Sequence, residues 1–393
     1  MYNIRTLNNI AEKGLNRFSK HEFQVSDTIE NPDGILLRSF DMHQMEIPES
    51  VKAIARAGAG TNNIPIDECS KRGIVVFNTP GANANAVKEL VIAGLLMSSR
   101  NLPKGIAWTK ALKDEEGNID KLTEAGKKQF VGPEIQGKTL GVIGLGAIGV
   151  LVANVAQKLG MNVIGYDPYL SIDAAWSLSS HVNKASSLDE LVSQSDYMTI
   201  HVPLNDATRN TFNKELFSKV KKGATLLNYA RGELVETEAV IEALENGTLS
   251  YYVTDFPMRE LIERDNVITT PHLGASTPES EENCAVMASA ELIDFLKYGI
   301  IRNSVNFPNC EIPYNGKTRI SITNKNVPNM IGSISSVFAK ENINIDNMVN
   351  ASKGMWAYNL IDTDNLGDKA EELMNELKNI DGVVSARIVF QNK

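Results

Sequence analysis

Short apolar runs alternate with helix-length amphipathic stretches along most of the chain. The runs at 34–37 and 73–77 are uninterrupted by polar residues and that at 51–55 only by Lys52, the pattern of strands buried on both faces of a parallel sheet. Residues 85–100 put Val87, Leu90, Val91, Gly94 and Leu95 on one helical face, and Pro103 is expected to end that helix. Residues 104–131 are polar and charged, which predicts surface. The alternation then resumes, with strands expected at 140–143, 162–166, 197–202, 224–229, 251–253 and 267–269 and helices between them, so that roughly 100–275 reads as a doubly wound α/β sheet. A long amphipathic helix over 277–298 stops at Gly299. Residues 303–316, with Pro308 and Pro313, read as a linker. Beyond it, elements at 318–323, 330–340, 343–350, 356–361, 369–377 and 383–390 follow the order βαββαβ, a ferredoxin-like arrangement.

The candidate chemistry starts where the 140–143 strand meets its helix. Gly144, Gly146 and Gly149 have the spacing G-x-G-x-x-G. The first permits a tight turn, the second lets the backbone approach a pyrophosphate, and the third lets helix and strand sit close. The helix start offers free N–H groups and a partial positive charge. Asp167 ends the next strand, where a carboxylate accepts from a ribose 2′-hydroxyl and repels a 2′-phosphate, so NAD is expected rather than NADP. Three earlier loops also follow strands, where open α/β sheets bind ligands. They hold Arg38 and Ser39, then Arg56, Gly58, Ala59 and Gly60, then the residues up to Asn83. Gly58 and Gly60 suit a nest of N–H groups for a carboxylate, and a plain strand-to-helix turn is the other reading.

Composition narrows the classes. With 39 Lys and Arg against 48 Asp and Glu, the net charge is −9, which argues against nucleic acid or an anionic membrane as partner. No stretch approaches the ~18 apolar residues of a membrane span, and the opening residues lack the apolar core of a secretion signal. Cys69, Cys284 and Cys310 are too few and too scattered for a disulfide framework or zinc site, so no metal and a reducing cytoplasm are expected. At 393 residues, two or three domains are expected.

Oxidising a hydroxyl beside a nicotinamide calls for a base to take the proton and a cation to orient the neighbouring carboxylate. Of the five histidines (His21, His43, His181, His201 and His272), His272 directly follows a strand of the cofactor sheet, and His201 reads as structural. Arg231 follows another such strand and suits two-point contact with a carboxylate. Glu260 lies upstream of His272 and suits holding its ring, with Glu263 as rival.

The stretches RAGAGTNNI, FNTPGANANAVKEL, GLGAIG, HVPL, NYARGELV and TTPHLGAST, spread over 56–277, closely resemble the D-2-hydroxyacid dehydrogenases. ITNKNVPNMIGSISSVFAKENINIDNM resembles the start of an ACT domain. The resemblance implies a Rossmann cofactor domain (96–276) inserted into a flavodoxin-like substrate domain (1–95 and 277–303), then a linker (304–317) and an ACT domain (318–393). It implies Arg231, Glu260 and His272 as the catalytic trio. Ala147, Ile148, Val202, Pro203, Tyr229, Ala230, Asp255, Gly274 and Ala275 join the glycines and Asp167 around NAD. Arg38, Ser39 and Asn83, with the Arg56–Gly60 loop, would contact the phosphate or the acid of the substrate. The match implies NAD-dependent oxidation of 3-phospho-D-glycerate to 3-phosphohydroxypyruvate, the entry to serine synthesis, by a homodimer or homotetramer. Asn324, Asn326 and Asn344 match effector contacts, with L-serine the simplest effector and a structural pairing module the alternative. The competing functions are a reductase of glyoxylate or hydroxypyruvate and an NAD-sensing corepressor-like scaffold. The sequence departs from the family in one place: Glu260 is followed by Leu261 rather than proline, and its connection to His272 is short.

Overall fold

The computed structural model describes residues 1–391, so the last two positions of the expected 318–393 unit lie outside the described residues. The chain forms two compact units, Met1–Asn83 with Pro278 onward, and Ala84–Thr277.

In the first unit, β1 (Tyr2–Leu7), β2 (Phe23–Ser26), β3 (Gly34–Leu37), β4 (Ala53–Arg56) and β5 (Val75–Phe77) form a parallel sheet in the order β2-β1-β3-β4-β5. The apolar runs supply β3, β4 and β5. Sequence reading did not find β1 and β2, because only Ile4 and Leu7 of β1 and Phe23 of β2 are fully buried. Helix Pro278–Tyr298 returns to this sheet and buries Ala288, Leu292, Phe295 and Leu296 against Ile4, Phe77 and their neighbours.

The expected linker is a packed element. Ser304, Asn306, Phe307 and Cys310 are buried. The Val305 N–H donates to the Val76 carbonyl at 2.9 Å. Asn306 accepts from the Val76 N–H through Oδ1 and donates through Nδ2 to the Ile74 carbonyl, each at 2.9 Å. The physical reason lies in β5: an edge strand with unpaired backbone groups needs a cover, and a proline-bearing segment serves on an edge.

The second unit is built on β6 (Thr139–Ile143), β7 (Asn162–Tyr166), β8 (Asn183–Lys184), β9 (Tyr197–Ile200), β10 (Ala224–Asn228), β11 (Leu249–Thr254) and β12 (Val267–Thr269). They are parallel throughout, in the order β12-β11-β10-β9-β6-β7-β8. The chain reverses direction of growth between β6 and β9, which makes that gap the switch point where such sheets bind ligands. Helix Ala84–Ser99 packs Val87, Val91 and Leu95 among Leu140, Val142, Val163 and Val253. It therefore groups with this sheet, and the boundary expected after residue 95 falls at 83/84. Pro103 does not end a helix. It opens one, Leu102–Ala111, after left-handed Asn101, since proline is tolerated in a helix's first turn.

The chain ends in an antiparallel sheet of β13 (Thr318–Lys325), β14 (Ile345–Lys353), β15 (Trp356–Thr363) and β16 (Val383–Phe390), ordered β14-β15-β13-β16. Helices Met330–Lys340 and Ala370–Lys378 complete the order βαββαβ. Ile320, Ile322, Ile334, Phe338 and Leu373 share one core. Tyr358 and Leu360 pack instead with Phe77 and Phe295 of the first unit's sheet and long helix. Fully buried Arg319 locks the junction. It pairs with Asp362 through Nε (2.6 Å) and Nη2 (2.8 Å), and donates to the carbonyls of Tyr298, Ile312 and Pro313. Every guanidinium N–H is used, which is the condition under which a buried charge is tolerated. Among the described residues no helix is long and apolar enough to cross a membrane.

Candidate active site

All the loops expected to carry chemistry in the second unit leave the C-terminal ends of its parallel strands. The glycine turn follows β6, and its three glycines have three separate reasons. Gly144 has φ +88°, and a Cβ there would meet the His201 carbonyl oxygen at 2.7 Å. A Cβ on Gly149 would lie 1.9 Å from the Gly144 carbonyl oxygen, so helix and turn touch. A Cβ on Gly146 would meet nothing within 4 Å, which leaves the approach to the helix start open. Helix Ala147–Lys158 has no side-chain cap at its N-terminus, so the leading N–H groups at Ala147 and Ile148 face that space. This arrangement fits a dinucleotide pyrophosphate. Asp167, after β7, accepts from the Leu145 N–H through Oδ2 and the Tyr169 N–H through Oδ1, each at 2.8 Å. It pins the turn to the second strand and keeps lone pairs for a ribose hydroxyl.

Two buried polar residues at neighbouring strand ends hold the candidate catalytic loops. Asn228, the last residue of β10, donates to the Arg231 carbonyl at 2.8 Å and accepts from the Ala230 N–H at 3.2 Å. Asp255, just after β11, accepts at 2.6–2.8 Å from the Thr270 hydroxyl and the Leu273 and Gly274 N–H groups. The Asp255 carbonyl accepts from the His272 N–H at 3.1 Å. His272 itself sits at φ +56°. A left-handed histidine costs of order 1–3 kcal/mol and persists where its surroundings over-determine it. Here Asp255 does so, leaving the imidazole exposed. Phe256 joins the two loops: its ring centroid lies 5.0 Å from that of His272, and a Cβ on Gly232 would touch it at 3.3 Å. Arg231 is exposed, with Nη1 donating to the Ala230 carbonyl.

Several expected contacts are corrected. The Asp255 carboxylate is 1% exposed and holds the His272 loop, so its visible work is to position that loop. The Tyr229 side chain is buried, its hydroxyl directed at Gly94, where a Cβ would come within 2.3 Å. Only its backbone borders the strand end. Glu260 and Glu263 are exposed and, among the described residues, neither hydrogen-bonds His272. Asn228 was not found by sequence reading, although a polar residue closing an apolar strand just before Arg231 is a usable signal. Val202 and Pro203 follow β9, and Gly274 and Ala275 end the His272 loop. His201 keeps a structural place: its Nε2 lies 3.0 Å from the Thr199 hydroxyl, and burial pushes the imidazole down to about 3.

The candidate substrate residues lie at strand ends of the first unit. The Arg56 guanidinium folds back beneath its own loop and donates from Nε to the Arg38 carbonyl at 3.0 Å. Gly58, at φ +154°, makes room for it, since a Cβ would sit 1.8 Å from Nη1. The Ala59 and Gly60 N–H groups make no hydrogen bond among the described residues, consistent with an anion nest. Ser39 is exposed and Asn83 half-buried. Arg38 is already paired: its Nη1 lies 2.7 Å from Oε1 of Glu281, on the returning helix.

In the C-terminal sheet, Asn324 is not at a surface. It is 1% exposed and belongs to an asparagine ladder across three strands. Asn350 donates to Asn359, Asn359 to Asn324, and Asn324 to the Lys325 carbonyl. Asn326 and Asn344 are exposed.

Residues 92–274 match the family model for the NAD-binding domain of D-isomer specific 2-hydroxyacid dehydrogenases. The D-3-phosphoglycerate dehydrogenase of Methanocaldococcus jannaschii is 36% identical over 295 residues, covering 73% of this chain and 54% of that protein. The enzyme of that name from Escherichia coli K12 is 32% identical over 381 residues, covering 93% and 89%. The chain thus spans about half the length of the first of these curated relatives and most of the second. Among solved structures, NAD+-bound 3-phosphoglycerate dehydrogenase of Entamoeba histolytica aligns with a TM-score of 0.60 at 28% identity, over 78% of this chain and 98% of that one.

Proposed function

The chain belongs to the D-isomer specific 2-hydroxyacid dehydrogenases, and on that premise we propose that it oxidises 3-phospho-D-glycerate to 3-phosphohydroxypyruvate with NAD. The observation that supports this most strongly is the His272 loop, an exposed imidazole held in left-handed backbone by a buried carboxylate on the sheet edge that also carries the glycine turn. NAD, when bound, supplies the hydride acceptor. His272 takes the proton of the C2 hydroxyl and returns it in the reverse direction. Arg231 grips the carboxylate through two parallel N–H bonds. The assignment of Glu260 to stabilising the imidazolium is part of the proposal. Comparing Glu260→Gln with Glu263→Gln separates the two acids, because the true partner shifts the pH profile of turnover and the other does not.

The test is NADH oxidation with 3-phosphohydroxypyruvate, compared with hydroxypyruvate. A clear preference for the phosphorylated substrate supports the reading. Reduction of the unphosphorylated acid alone would favour the glyoxylate or hydroxypyruvate reductase reading, which one observation favours: Arg38 already holds a carboxylate. We also propose that the C-terminal βαββαβ unit is an ACT-type regulatory unit answering to L-serine, with Asn326 and Asn344 as candidate contacts. Inhibition at up to millimolar serine supports it, and unchanged rates leave a structural module.

A further inference from the structure

We infer that Glu281 sets how well this chain accepts a phosphorylated substrate, by occupying the guanidinium against which the phosphate would dock. The inference deepens the proposed activity and rests on it. Arg38 leaves the end of β3 beside the Ala59–Gly60 nest, tied to it by the Arg56 side chain. On the proposed activity, Arg38 is the cation that would receive the phosphate of the substrate. That cation already has a carboxylate partner. Glu281 Oε1 lies 2.7 Å from Arg38 Nη1, and among the described residues neither side chain has another ionic partner. The adjacent Glu282 is engaged by Lys13. Glu281 also sits in the first turn of helix Pro278–Tyr298, where the N-terminal partial charge attracts a carboxylate.

The strength of this pair decides what it can do. The two side chains are 38% and 43% exposed, so the pair is a surface ion pair of small net value. A phosphate of charge about −1.5 to −2 outcompetes one carboxylate for the guanidinium. It then lies next to the displaced Glu281 and is repelled by it. A substrate ending in a neutral hydroxyl meets neither cost. The acid is therefore a selectivity element: it lowers the advantage of a phosphate without abolishing it. Because Glu281 acts through Arg38, its effect belongs in KM and depends on the substrate's terminal group.

The experiment is steady-state NADH oxidation by wild type, Glu281→Gln, Arg38→Ala and the double variant, with 3-phosphohydroxypyruvate and with hydroxypyruvate. Glu281→Gln keeps the size and hydrogen-bonding capacity of the side chain and removes its charge. Its KM for the phosphorylated substrate should fall about two- to fivefold, the range a surface ion pair commands, with the change in KM rather than kcat. Its KM for hydroxypyruvate should hold, and in the Arg38→Ala background the effect should vanish. An unchanged or raised KM for the phosphorylated substrate overturns the inference, as does an equal shift on both substrates or an effect that survives loss of Arg38. If wild type turns over neither compound, the activity itself is refuted. If it reduces 3-phosphohydroxypyruvate and Glu281→Gln changes nothing, only the role of Glu281 falls.

Discussion

The two ends of helix Pro278–Tyr298 treat an arginine in opposite ways. Near its start, Glu281 meets Arg38 through one contact in a half-exposed setting. At its end, the Tyr298 carbonyl is one of three that Arg319 satisfies while paired with Asp362 in complete burial. Arg387 adds donors to the carbonyls of Phe295 and Leu296, and the Tyr358 hydroxyl to that of Gly299, so the terminal carbonyls that no helix can satisfy internally are capped by the C-terminal sheet. The same chemistry gives an exchangeable contact at one end and a fixed joint at the other. The second unit repeats the division within a single loop, where Asp255 is committed and His272 available. The groups fit to meet a substrate are those left partly unsatisfied, and His272 and Arg231 are each held by a buried, hydrogen-bonded neighbour.

Breaking a committed group should cost the most. Asp362→Ala strands the buried Arg319 charge, and urea unfolding should show a loss of about 3–5 kcal/mol. A loss under 1 kcal/mol would mean that the carbonyls alone suffice. Asp255→Ala leaves the Leu273 and Gly274 N–H groups without acceptors and releases the strained histidine. A loss of about 2–3 kcal/mol is expected together with a marked fall in kcat, measured on the same preparation. Glu291 tests the boundary between the two classes. One of its oxygens accepts from Asn303 at 2.9 Å and the other has no partner, and burial pushes its carboxyl up to about 8. An acid raised in the folded state stabilises below its unfolded value, and that contribution is lost as pH rises through about 8. Glu291→Gln should therefore be more stable to urea than wild type at pH 9, with the gap closing toward pH 5. A constant gap would remove Glu291 as the cause. The smallest effect is the KM shift of Glu281→Gln, which probes the exchangeable end directly.

How much of this the sequence shows follows the same division. The glycine turn, Asp167 and the His272 and Arg231 loops are legible because each is a local pattern: a strand's apolar run, then residues whose type and order suit the chemistry. The committed partners are not local. Arg38 and Glu281 meet only because the long helix returns to the first sheet. Arg319 lies in a strand whose pattern marks burial but whose partner is on the strand alongside. Asn324 was expected as an effector contact, and only the cross-strand register shows the ladder that buries it. Pro308 and Pro313 suggested a free linker because proline opposes regular structure, and nothing nearby in sequence announces that β5 needs a cover. Asn228 lay in plain view, and its role depended on knowing which carbonyl it faces.

The central claim is that the exposed His272 imidazole carries the proton. The most direct measurement is kcat for NADH oxidation with 3-phosphohydroxypyruvate in wild type and His272→Asn, beside their melting temperatures. Asparagine tolerates the left-handed backbone, so the loop should keep its shape and the melting temperature should hold. Turnover should fall by about 10² or more. Turnover within a few-fold of wild type, at an unchanged melting temperature, would contradict the account.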